Sequence, residues 1–151
     1  MDIFSTLYRL HIIPFIKKWN LLNLILGALD IFAIFLAFES AYLIIYAGAG
    51  LGLFFFMDKT FLLMFLGVTP FWLLALYLLK ATEIPRSKQY ISIFWEYFLA
   101  AGAIFLLFLV IYFLFKLYTV SRTFIVLIPL FGFAYLFTLR ILEYKVFKQY
   151  R

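Results

Sequence analysis

Cysteine is absent and histidine occurs once, as His11, in a chain of 151 residues. Without cysteine there is no disulfide framework, no thiolate nucleophile and no iron–sulfur ligation. A single imidazole cannot build a multi-histidine metal or haem site within one chain. Charge is also scarce: Asp, Glu, Lys and Arg make up 13% of the residues, against about a quarter in an ordinary soluble domain. So few polar side chains cannot cover the water-facing surface of a soluble fold of this length.

Apolar residues fill the space instead, at 68% hydrophobic and 24% aromatic. Hydrocarbon is the solvent that suits such a surface, and the reading is an all-α integral membrane protein. The net charge of +6 comes from basic residues at the ends of apolar runs, where they face anionic lipid headgroups. Membrane lipids are the expected partners, and nucleic acid is not.

Four runs are expected to cross the bilayer as helices, at about 24–46, 61–79, 94–115 and 124–139, a core of about 30 Å needing roughly 20 helical residues. Residues 1–20 mix apolar positions with Arg9, Lys17 and Lys18, with Pro14 interrupting and Trp19 suited to the boundary. They read as an interfacial segment, followed by the transmembrane domain over 21–151. The first run starts after this lead and has no small-residue cleavage site, so it is expected to remain in the mature protein. Gly48, Gly50 and Gly52 end the first helix, and the stretch from Lys80 to Ile93 is the polar linker between the second and third. Pro70 and Pro129 should kink the second and fourth helices, since each removes a backbone hydrogen bond.

Orientation follows from the basic residues. With a cytoplasmic N-terminus, Arg9, Lys17, Lys18, Lys80, Arg86, Lys88, Arg140, Lys145, Lys148 and Arg151 lie inside, and Lys59, Lys116 and Arg122 outside. That asymmetry puts both ends in the cytoplasm, the expected compartment being a bacterial inner membrane. Arg122 and Arg140 count here as orientation residues.

Two carboxylates fall within the first span, and apolar residues at about −0.3 to −0.6 kcal/mol each outweigh a central Asp or Glu at about +2.5 to +3.5. Asp30 lies within about 60° of the small-residue stripe Ala33, Ala37 and Ala41. It is expected either to pair with a basic group such as Arg140 or Lys80, or to serve a substrate or proton. Glu39 points to the other side of the helix, about 13 Å along it by the 1.5 Å rise, so the two carboxylates cannot act as one acid/base pair. Glu39 is a candidate functional group, or else a hydrogen-bonded one beside Ser40. Glu96 is expected to complement the N-terminal dipole of the third helix, and Ala100, Ala101, Gly102 and Ala103 to form a packing patch. The glycines at the outer turn do not follow a strand and spell no dinucleotide loop. His11 is a weak candidate for a pigment or metal at the interface; an amphipathic side chain is the plainer reading.

The order of Leu29-Asp30-Ile31 through Ala41-Tyr42-Leu43, then Pro70-Phe71-Trp72-Leu73-Leu74, Arg86-Ser87, Glu96, Val120-Ser121-Arg122 and Leu139-Arg140 resembles the N-terminal membrane region of bacterial polyprenyl-phosphate hexose-1-phosphate transferases. The resemblance spans almost the whole chain. It implies a four-helix bundle that, in full-length members, precedes a soluble domain and a catalytic domain that moves a sugar phosphate from a nucleotide sugar to a lipid phosphate, starting exopolysaccharide synthesis. No catalytic residue carries over, because that part has no counterpart in these residues. Two departures stand out: Ile44-Ile45-Tyr46 replaces the family's arginine after the Ala-Tyr-Leu run, and Glu39 is foreign to the pattern.

Three functions are expected to compete. One is a non-catalytic anchoring or scaffolding module. Another is an accessory subunit of a respiratory or photosynthetic membrane complex, with protein partners in the membrane and lipid, quinone or pigment on its aromatic surface. The third, a small transporter, would use Asp30, Glu39, Pro70 and Pro129. No cofactor is required, bound lipid is expected, and no enzyme activity is expected.

Overall fold

The computed structural model describes residues 21–47, 54–81, 89–116 and 119–149. They form α1 (Leu21–Tyr46), α2 (Lys59–Leu78), α3 (Tyr90–Leu114) and α4 (Arg122–Gln149), with a 3-10 turn at Phe55–Met57 before α2. Each helix contains a stretch long and apolar enough to cross a membrane: Leu24–Tyr46, Lys59–Leu78, Tyr90–Leu114 and Arg122–Val146. The interfacial segment with His11, the glycines Gly48, Gly50 and Gly52, and linker residues 82–88 lie outside the described residues.

Local chemistry sets the ends of the helices. Asp58 has extended backbone and accepts the Thr60 N–H at 2.8 Å, which caps α2. α2 stops in a Schellman motif: Lys80 is left-handed at φ 53°, its N–H bonds the Tyr77 carbonyl, and the Ala81 N–H bonds the Leu76 carbonyl. α3 begins at Tyr90 rather than near residue 94, because the extended Gln89 offers its carbonyl to the N–H groups of Ser92 and Ile93. α4 runs to Gln149 rather than stopping near residue 139. Arg, Glu, Lys and Gln end its apolar pattern but are good helix formers, so the helix outlasts the hydrophobic run. Both prolines are accommodated within continuous helices, Pro70 in α2 and Pro129 in α4.

α1 packs most extensively on α4, α4 next on α3 and α3 on α2, while α1 and α2 touch more lightly and close the ring. Successive helices alternate in direction. The start of α1, the end of α2, the start of α3 and the end of α4 meet around Arg140; the opposite ends meet around Tyr46, Phe61, Ser121 and Phe124. At this second end the interior is aromatic, with Phe61 centred 4.9 Å from Tyr46 and 5.0 Å from Phe124 in tilted and edge-on contacts. Such pairs add to the dispersion and hydrogen bonding that hold helices together where the surroundings are as apolar as the interface. On α1 the buried face is Leu26, Asp30, Ala33, Ile34, Ala37, Phe38, Ala41, Tyr42 and Tyr46, so Asp30 occupies a core position. The four-residue patch on α3 divides: Ala100 and Ala101 are buried, Gly102 and Ala103 exposed. Leucines and phenylalanines such as Leu63, Leu106 and Phe113 cover the outside.

Candidate functional site

One guanidinium on α4 gathers polar groups from α1, α3 and its own helix, and is linked through Tyr97 to the turn that ends α2. Arg140 lies six residues before the end of the apolar stretch Arg122–Val146, and Asp30 six residues after the start of Leu24–Tyr46. In antiparallel neighbours this brings both to one level, about 9 Å inside the ends of their spans by the helical rise. Both are almost fully enclosed, Asp30 at 1% exposure and Arg140 at 2%. Nη2 of Arg140 lies 3.4 Å from Asp30 Oδ1 and 3.3 Å from Oδ2, sharing its donors between the two oxygens.

The other two faces of the guanidinium are directed elsewhere. Nε donates to the Tyr97 hydroxyl at 2.7 Å, and that hydroxyl donates to the Ala81 carbonyl at 3.1 Å. The Schellman turn is what makes this carbonyl available at the end of α2. Nη1 lies 2.8 Å from Oε2 of Glu143, one turn further along α4. That contact is a charge pairing without hydrogen-bond alignment: Nη1 and both Glu143 oxygens are buried and accept or donate no hydrogen bond.

Arg140, expected to mark orientation at the headgroups, is instead inside the bundle. The charge of Asp30 is what keeps it there, since an ionised group in a low-dielectric interior persists when paired and hydrogen-bonded. Arg122 is exposed at the start of α4. Glu96 does not cap α3: it lies in the second turn of the helix, where Oε1 accepts from the Ser92 hydroxyl at 3.4 Å. The earlier start of α3 displaced it from the N-terminal dipole.

Glu39 belongs to the opposite end, so the structure keeps the two carboxylates of α1 in separate surroundings. Its Oε2 accepts the Phe55 N–H at 3.3 Å, tying the 3-10 turn to α1. Ser40 shares a 2.7 Å hydrogen bond with the Tyr135 hydroxyl of α4. The Tyr46 hydroxyl accepts the Ser121 N–H at 2.7 Å, and the Ser121 carbonyl in turn receives the N–H groups of Phe124 and Ile125 in the first turn of α4.

No family model matches the chain, and neither a curated protein nor a solved structure matches it. Among the described residues, no group of three or more His, Cys, Asp or Glu is placed to hold a metal ion.

Tyr97 and Glu143 were absent from the residues singled out in the sequence. Glu143 carries a signal in its i,i+3 spacing from Arg140, which becomes meaningful once α4 is extended past residue 139. Tyr97 carries none that separates it from the other aromatic residues of α3.

Proposed function

We propose that the protein is a membrane anchoring and scaffolding module, a four-helix bundle with both ends in the cytoplasm. It would stand in a bacterial cytoplasmic membrane and act without catalysis of its own. One observation supports this reading above the others: several polar side chains in the apolar spans are spent on ties between elements. Asp30 and Tyr97 meet at Arg140, Ser40 meets Tyr135, and Tyr46 meets the start of α4. A transport pathway needs such groups turned toward a passing solute; here Asp30, the first candidate, is taken by Arg140. The resemblance to the membrane region of polyprenyl-phosphate sugar-phosphate transferases points the same way, toward a bundle that holds something else at the membrane.

Fusion of a fluorescent protein after Arg151 tests the proposal. The fusion should stay with membranes through an alkaline carbonate wash and fluoresce, as a cytoplasmic reporter does. Purified protein should transfer no radiolabelled sugar phosphate from a nucleotide sugar to polyprenyl phosphate. Release by carbonate, or measurable transfer, would overturn the reading.

A further inference from the structure

Asp30 and Glu143 set two carboxylates around the single guanidinium of Arg140, so the cluster holds one negative charge in excess when all three are ionised. An unbalanced charge enclosed among apolar side chains is unfavourable unless a counter-charge joins it. Of the two carboxylates, Glu143 is the one held by a charge contact alone, Oε2 lying 2.8 Å from Nη1. Its side chain is 9% exposed and directed at the cluster, yet neither of its oxygens receives a hydrogen bond, whereas both oxygens of Asp30 do.

Among the described residues, no neighbour donates a hydrogen bond to this carboxylate. From α1 it faces Asp30, and from α3 Tyr97, whose hydroxyl is already given to the Ala81 carbonyl. Tyr90 of α3 packs on the Tyr144 ring next to it, centroids 5.5 Å apart. Elsewhere on α3, Glu96 is half-buried and bonded to Ser92. Lys80 beyond α2 is exposed and has contacts of its own, and Lys145 on α4 is exposed. Among the described residues the ion-pair partner of Glu143 is Arg140 alone.

We propose that Glu143 binds one small monovalent cation, a proton or an alkali-metal ion, admitted at the end of the bundle where α4 leaves its apolar stretch. With the cation bound the cluster is neutral and its end of α4 seats against α1 and α3. Without it the excess charge must be solvated, which draws the last turns of α4 toward water. The site thereby couples the seating of α4 to the cation on that side of the membrane.

The test is the thermal midpoint of the purified full chain in detergent, read by tryptophan fluorescence from mildly acidic to mildly alkaline pH. Choline chloride is the reference salt, with sodium or potassium chloride at equal ionic strength as further arms. The wild type should melt several degrees lower at alkaline pH in choline. Recovery in sodium or potassium identifies an alkali ion, and a fall that no salt reverses identifies a proton. Glu143→Gln, a neutral isostere, should fold and lose the dependence on both. Asp30→Asn should lose it too, because it leaves Arg140 and Glu143 balanced one to one. A wild type indifferent to pH and alkali ions, a response kept in either variant, or a Glu143→Gln protein that does not fold would each overturn the proposal.

Discussion

Arg140 serves Asp30, Tyr97 and Glu143 at once, and its removal strands two enclosed carboxylates. Breaking a buried pair from one side costs about 3–5 kcal/mol, so Arg140→Leu should unfold far more readily than the wild type in a thermal melt in detergent. Arg140→Leu combined with Asp30→Asn should recover part of that loss, with a coupling of about 0.5–3 kcal/mol between residues in contact. Full additivity would mean that the two do not interact. Tyr97→Phe leaves the charges paired but strands Nε and the Ala81 carbonyl, at about 1–3 kcal/mol, and should fall between wild type and Arg140→Leu. The pairing of Asp30 with a basic group was legible in the sequence, because a carboxylate near the inner end of one span lies close to the cations that follow its neighbours; that Arg140 lies six residues inside the longer α4 was not. Nor was the rest of the cluster. Tyr97 enters through the packing of α3 on α4 and reaches the end of α2 from there, tertiary relations that no periodicity records.

At the scale of helices, hydrophobic runs marked the four elements well and their ends poorly. Apolar length is set by the membrane, whereas a helix stops where capping and propensity stop it; Gln89 and the helix-forming residues after Leu139 therefore moved the ends of α3 and α4 outward. The packing between helices was less legible still. Trp72 of α2 is fully buried and its ring lies on Gly132 of α4, where any Cβ would collide with it. Gly132→Ala should therefore destabilise the bundle by about 1–3 kcal/mol through overpacking. Adding Trp72→Leu should relieve the clash, so that the double variant melts higher than the sum of the two single losses implies. The end of α3 gives a prediction of opposite sign. Lys116 sits just past the helix at φ 48°, a left-handed conformation that costs a side-chain-bearing residue about 1–2 kcal/mol. Lys116→Gly removes that cost against about 0.5–1 kcal/mol of added chain entropy. It should raise the midpoint slightly, and a fall would show that the lysine contributes more through its charge than it loses in backbone strain.

For the molecule as a whole, the proposed orientation rests on the distribution of cations between the two ends of the bundle. Lys59, Lys116 and Arg122 share the end that holds the 3-10 turn, while Lys80 and Lys145 share the end that holds the ion cluster. Arg140 no longer counts as a flanking cation, because it is enclosed and neutralised by Asp30; only exposed Lys and Arg near span ends interact with the leaflet and the insertion machinery. The remaining flanking cations are still unequal, with nine assigned to the inner side and three to the outer, so orientation does not depend on the residue that the fold withdrew. The absence of cysteine makes the test clean, since any thiol introduced is the only one present. Met57→Cys, at the exposed turn before α2, and Arg86→Cys, in the linker after it, should react with a membrane-impermeant maleimide from opposite faces of sealed vesicles. Position 57 should label in right-side-out vesicles and position 86 in inverted ones. Labelling of both from one face would mean that α2 does not cross the bilayer, and the exchange of the two patterns would mean that the bundle is inserted the other way up.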